Sequence, residues 1–213
     1  MRLEHQLQQF GSAPFSRAAL LSVLQGYRRP NDKIARLAEE SVLVPLKKGL
    51  YVLGPEWRTQ PLSLALIANN LYGPSCVSLD WALAWHGLIP EGVFGVTSVT
   101  SRRAKSYETP VGHFTYHHIP ESVLFSGAVM ASAGEKAHYL IASPTKALCD
   151  KILLTRNLRL SSVSAMLEFL EEDLRVDPEA VGPHDKEVVR AYCRAGHKVA
   201  LLELLEQAME KWT

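Results

Sequence analysis

The fold of the first part of the chain is decided by residues 42–53, which read VLVPLKKGLYVL. Two short aliphatic and β-branched runs flank a Lys-Lys-Gly turn, and this pattern predicts a β-hairpin with Gly49 at its turn. Just before it, residues 30–40 read PNDKIARLAEE, in which Ile34 and Leu37 have the spacing of an amphipathic helix. The sequence therefore predicts a helix that leads directly into a hairpin.

Two further helices are predicted before this unit. Residues 3–10 form a short amphipathic helix, and Ser16 is a candidate N-cap for a second helix that ends near Gly26. Asn31 is the candidate N-cap of the third helix. Three helices followed by a hairpin are typical of a winged helix-turn-helix, which we predict for residues 1–58.

Basic side chains are concentrated around the third helix and the hairpin. Arg29, Lys33 and Arg36 are separated by four and three residues, so they share one stripe of that helix. A recognition helix enters the major groove by its N-terminal part, where cations meet phosphates and Asn31 can reach a base edge. The predicted DNA-binding residues are Arg17, Arg28, Arg29, Asn31, Lys33, Arg36, Lys47 and Lys48. Taken singly, each is also an ordinary surface residue, and winged helices also bind proteins.

The distribution of charge supports a nucleic-acid partner for the first part of the chain. The net charge is only +1, but residues 1–60 hold nine Lys and Arg against five Asp and Glu. Residues 161–213 hold six against eleven. We interpret this acidic C-terminal part as a solvated helical face.

The rest of the chain predicts a mixed α+β domain at 59–160 and a helical C-terminal extension at 161–213. The α+β domain starts with helices near 62–72 and after Ser78, followed by strands near 93–100 and 113–119. A hairpin over 128–142 and a helix over 145–154 complete it. The overall fold class is therefore α+β, with the winged helix-turn-helix at the N-terminus.

Several stretches of this second part resemble one protein family. Residues 76–91, CVSLDWALAWHGLIPE, are similar to the phrase with which AbiEi-type antitoxins begin their second domain. Residues 96–100, VTSVT, and residues 141–150, IASPTKALCD, are also similar to that family. The resemblance covers about residues 15–155.

This resemblance implies a function in two parts. The winged domain is expected to bind an operator with inverted repeats at the promoter of its own operon, as an autoregulator. The second domain is expected to oppose a nucleotidyltransferase-like toxin of a type IV toxin–antitoxin system. The resemblance does not imply that the antitoxin and the toxin bind each other directly. A solitary transcriptional regulator with no toxin partner remains an alternative.

An enzymatic alternative rests on three histidines. His113 and His117 face the same side of an extended strand, and His118 follows, so a metal pair is geometrically possible. No third ligand lies at ligand spacing, and we therefore expect no metal, no cofactor and no catalytic activity. The alternative is a nucleic-acid hydrolase guided by its winged helix. Cys149 beside Asp150 is interpreted as a buried structural thiol.

A second basic cluster consists of Arg102, Arg103 and Lys105. It extends the DNA surface, contacts RNA or belongs to a polar loop, and the loop is the interpretation we favour from sequence alone.

The apolar runs are far shorter than the roughly 20 residues of a membrane-spanning helix. The opening residues lack the pattern of a secretory signal, and the three cysteines suggest no disulfide framework. These features predict a cytoplasmic protein.

Overall fold

The computed structural model describes residues 3–134 and 137–212, which form a mixed α+β fold with two β-sheets. The first sheet belongs to the N-terminal part of the chain and has three antiparallel strands in the order β1-β3-β2. The elements of this part are α1 (Leu3–Gln8), β1 (Phe15–Ser16), α2 (Arg17–Val23), α3 (Pro30–Glu39), β2 (Leu43–Lys47) and β3 (Leu50–Leu53).

Local sequence signals explain most of these boundaries. The Ser16 hydroxyl accepts a hydrogen bond from the amide of Ala19 at 3.1 Å, which confirms the predicted N-cap of α2. Gly49 has φ +82°, as the predicted hairpin turn requires. The prediction that Asn31 caps α3 is wrong, because Pro30 occupies the first helical turn and Arg29 the N-cap position.

The second sheet has six strands in the order β6-β7-β5-β4-β9-β8. The pairs β5–β7 and β4–β9 are parallel, and the other neighbours are antiparallel. The elements of this part are α4 (Leu64–Leu71), β4 (Ser75–Val77), α5 (Leu79–Trp85), β5 (Val96–Thr100), β6 (Lys105–Thr109), β7 (Gly112–His118), β8 (Ala128–Ser132), β9 (His138–Ala142) and α6 (Pro144–Leu154). The interpretation of residues 102–105 as a loop is wrong at Lys105, which begins β6.

Helices cover both faces of this sheet. The Tyr116 hydroxyl of β7 donates to the carbonyl of Ala68 in α4 at 2.6 Å. On β5, Thr97 accepts from the amide of Trp81 in α5 at 3.3 Å. Because Tyr116 pairs with Ser98, the residue next to Thr97, these contacts lie on opposite faces of the sheet. The sheet therefore separates α4 from α5.

The remaining helices are α7 (Val163–Glu168), α8 (Pro178–Val181), α9 (Lys186–Arg194) and α10 (Val199–Lys211), and Phe169–Asp173 continues α7 as a π-helical turn. Met166, Leu170 and Leu205 are buried in the same core as the six-stranded sheet. The predicted boundary at residue 160 thus divides elements of one core. No helix in the described ranges is both long enough and apolar enough to cross a membrane.

The β2–β3 hairpin connects the two parts of the molecule. Leu43 and Leu53 are buried in the small N-terminal core, whereas Leu46, Leu50 and Val52 are buried in the large core. Because one hairpin contributes to both cores, it fixes the N-terminal part against the rest of the chain.

Candidate nucleic-acid interface

Arg17 joins the start of α2, the start of α3 and the hairpin turn. Its amide donates to the carbonyl of Gly49 at 2.8 Å, and its guanidinium donates to the side-chain oxygen of Asn31 at 2.6 Å. Lys48, next to Gly49, is exposed. These contacts bring Arg17, Asn31 and Lys48 to one surface, which no local sequence signal predicts.

The predicted cationic stripe lies on the other flank of α3. Arg29 and Arg36 are exposed and each has an acidic neighbour: Arg29 lies 3.7 Å from Asp32, and Arg36 lies 2.7 Å from Glu40. Exposed ion pairs of this kind contribute at most about 1 kcal/mol, so both guanidinium groups can exchange these partners for phosphates. Lys33 is half-buried and lines a cavity between α1 and α3.

The outer surface of α3 is not uniformly basic. Asp32 and Glu39 are exposed and stand seven residues apart, which places them on one stripe between the two flanks. A phosphate backbone laid along this helix would meet both carboxylates. The N-terminal turn, with Arg28 and Arg29 before it, is therefore the part of α3 suited to DNA.

Lys47 has a different environment from the one predicted. Its ammonium group donates to the carbonyl of Leu71 at 2.5 Å, at the C-terminal end of α4, and the residue is half-buried. Cations stabilise helix C-termini, because the last carbonyls there have no partners within the helix. The prediction that Lys47 lies at an open hairpin tip is wrong. Its ammonium group instead joins the hairpin to α4, across the two parts of the molecule.

The second basic cluster surrounds an aromatic group. Lys105 lies 4.6 Å from the ring centroid of Tyr107 and 5.5 Å from that of Tyr72, and Arg102 lies 5.9 Å from Tyr72. The Tyr72 hydroxyl donates to the carbonyl of Arg103 at 3.2 Å. We call Tyr72, Tyr107, Arg102, Arg103 and Lys105 the Tyr72 cluster. All three cations are exposed, so they remain available to an external anion.

The Tyr72 cluster lies beside the hairpin. Strand β6 runs next to β2, and the lysine at the end of β2 bonds to Leu71, the neighbour of Tyr72. Lys48 follows Lys47 directly, and Leu71 precedes Tyr72, so we group Arg17, Lys48 and the cations of the Tyr72 cluster as the cationic band. Basic groups interleaved with aromatic rings are typical of nucleic-acid surfaces, since cations contact phosphates and rings stack on bases.

The three histidines do not converge. His113 lies 2.6 Å from the carboxylate of Glu108 and 2.9 Å from the hydroxyl of Thr115. His118 contacts the carbonyl of Arg102 on the opposite face of β7 from His117. Within residues 3–134 and 137–212, no group of three or more His, Cys, Asp or Glu side chains is placed to hold a metal ion.

A buried polar network was missed from the sequence. The Lys146 ammonium lies 3.2 Å from the Asp150 carboxylate and donates to the Tyr192 hydroxyl at 2.7 Å. That carboxylate accepts from Tyr192 at 2.5 Å and from Ser78 at 2.6 Å. Burial, followed by the nearby Asp150 charge, raises the pKa of Tyr192. The network joins α6 to α9 and to Ser78, which holds the N-cap position of α5 but makes no side-chain capping hydrogen bond there.

Cys149 on the same helix is fully buried, and burial raises the pKa of its thiol well above the ordinary value. This environment agrees with the structural interpretation of the cysteine, because a neutral thiol is a poor nucleophile.

No protein-family model and no curated protein matches this chain.

Proposed function

We propose that the chain is a DNA-binding transcriptional regulator whose N-terminal part is a winged helix-turn-helix. The order α1-β1-α2-α3-β2-β3, with β1 added to the hairpin as a third strand, supports this assignment. The observation that carries the proposal is the pair of Arg17 hydrogen bonds, which fixes the starts of α2 and α3 and the hairpin turn on one surface.

The charges favour a particular way of docking. The N-terminal turn of α3 faces the major groove, where Arg28, Arg29 and Asn31 meet phosphates and base edges. Arg17 and Lys48 contact the adjacent phosphate backbone of the DNA. The Tyr72 cluster then extends the contact to flanking phosphates, so the footprint is longer than that of the N-terminal part alone.

The resemblance to AbiEi-type antitoxins extends the proposal to a biological role. The regulator binds an operator with inverted repeats before its own gene, in the cytoplasm, and its second domain opposes a nucleotidyltransferase-like toxin. A solitary regulator has the same DNA surface and differs only in having no toxin. Co-expression with the neighbouring gene product, when that product is toxic, distinguishes the two by cell survival.

DNA binding is tested by fluorescence anisotropy on a duplex from the region upstream of the gene. We expect Arg17→Ala to weaken binding at least tenfold, since it loses a phosphate contact and the link to Asn31. Arg190→Ala is the matched control, because this exposed arginine lies on α9, outside the band. Equal affinities of the wild type and Arg17→Ala would overturn the docking surface.

We also propose that the chain is not a nuclease. Incubation of the protein with DNA or RNA and divalent metal ions tests this directly. Cleavage that disappears in His113→Ala would replace the regulator with the hydrolase alternative.

A further inference from the structure

A polar cleft lies on the sheet face opposite α4, away from the cationic band. It has a volume of about 330 Å³ and is bounded by α5, the C-terminal end of α6 and strands β5 and β7. This volume is at the lower end of the range for small-molecule sites, about 300–1,000 Å³. The lining residues on which the inference depends are Leu79, Asp80, His117, Lys151 and Arg156.

Two cations and one carboxylate dominate the charge of the cleft. The Lys151 ammonium donates to the Asp80 carboxylate at 2.5 Å, and both side chains are partly exposed to the cleft. Arg156 follows the end of α6 and is exposed, with no hydrogen bond or ion pair in the part of the chain that the structure describes. The cleft thus holds one paired and one unpaired cation.

His117 adds a hydrogen-bonding group at the base of the cleft. It is half-buried, and its imidazole has no hydrogen-bond partner among the described residues. Burial lowers the pKa of His117, which favours the neutral imidazole. A neutral imidazole still carries one N–H donor, so it can donate to an anion.

Leu79 gives the cleft an unusual backbone. It lies at the first position of α5 with φ +59°, a left-handed conformation that a leucine rarely adopts. The strained residue lines the cleft and precedes Asp80 directly. Backbone strain of this kind concentrates at ligand sites, where the surrounding structure enforces it.

We propose that this cleft binds a small anion that bears a phosphate group. Arg156 and Lys151 contact the phosphate oxygens, and His117 donates a hydrogen bond to one of them. The planar guanidinium of arginine matches two phosphate oxygens, and the ammonium of Lys151 turns from Asp80 to the ligand. This site is separate from the proposed DNA surface, since the sheet lies between them.

Isothermal titration with pyrophosphate tests the site in the full chain. We expect saturable binding to one site, weakened about tenfold or more in Arg156→Ala because a charge-assisted contact is lost. Arg159→Ala is the matched control, an exposed arginine three residues further along that does not line the cleft. Malonate, a carboxylate anion, is expected to bind more weakly than pyrophosphate.

The Asp80→Asn variant gives a result of opposite sign. Removing the carboxylate frees Lys151 and abolishes repulsion of the anion, so pyrophosphate binding becomes tighter. Thermal melting of each variant shows whether it is folded. Where a variant is not folded, Lys151→Met replaces it, and this variant should weaken pyrophosphate binding because it loses the proposed lysine contact to the phosphate. The proposal is overturned by an absence of saturable binding, by unchanged binding in Arg156→Ala, or by weaker binding in Asp80→Asn.

Discussion

The buried pair of Lys146 and Asp150 supports a quantitative prediction about stability. Both side chains are fully buried, and they lie 3.2 Å apart. Replacing Lys146 by methionine keeps the apolar stem but leaves the Asp150 carboxylate in the core without its cation. Removing one partner of a buried pair costs about 3–5 kcal/mol. That cost is a large part of the 5–15 kcal/mol by which domains are typically stable.

Urea unfolding followed by circular dichroism measures this cost, and a double-mutant cycle isolates the pair. Asp150→Leu removes the carboxylate, and in the double variant no uncompensated charge remains. We expect the double variant to be more stable than the sum of the single losses predicts, by a coupling energy of about 2–3 kcal/mol. A loss below about 1 kcal/mol in Lys146→Met, or strictly additive losses, would refute the assignment of a buried ion pair.

Three further predictions concern pH, packing and the domain contact. Burial holds the folded-state pKa of His117 below the ordinary value of 6.5, so the unfolded chain takes up its proton first as the pH falls. The unfolding free energy should therefore decrease from pH 7 to pH 5, less steeply in His117→Gln, as measured by urea titrations at each pH. Gly127→Ala should lower the free energy of unfolding by about 1–3 kcal/mol, because residue 127 has φ +75° and a Cβ there would stand 2.8 Å from a valine methyl of α9. Gly26→Ala, with open space around it, serves as the control. Lys47→Ala should lower the melting temperature by removing its bond to α4, at a cost of about 1 kcal/mol, and Lys48→Ala should leave that temperature unchanged; equal melting temperatures would contradict the domain contact.

Elements with strong local signals could be predicted from the sequence. The capping serine before α2, the period of α3 and the Lys-Lys-Gly turn act within a few residues, and each agrees with the structure. Strand β6 carries no such signal, because its sequence KSYET alternates only weakly and its pairing partner determines its structure. Strand β4 is only three residues long and buried on both sides, so it lacks the alternation of apolar and polar residues that indicates a strand.

Predicting the candidate sites was harder, because their geometry depends on contacts between distant residues. Nothing near Lys47 indicates that its ammonium meets the end of α4, 24 residues later. Lys146 and Asp150 are four residues apart and predictably share a helix face, but their partner Tyr192 is more than 40 residues away. The cationic band likewise depends on the placement of β6 beside β2.

In the proposed complex, one DNA duplex contacts cations of both parts of the molecule. The most direct test is the slope of log Kd against log salt concentration for the wild type, Arg17→Ala and the double variant Arg102→Ala/Lys105→Ala. Each lost phosphate contact should reduce the magnitude of that slope by about 0.9, so both variants should have shallower slopes than the wild type. Slopes identical to the wild type in both variants would contradict the proposed DNA surface, and an unchanged slope in the double variant alone would confine it to the N-terminal part.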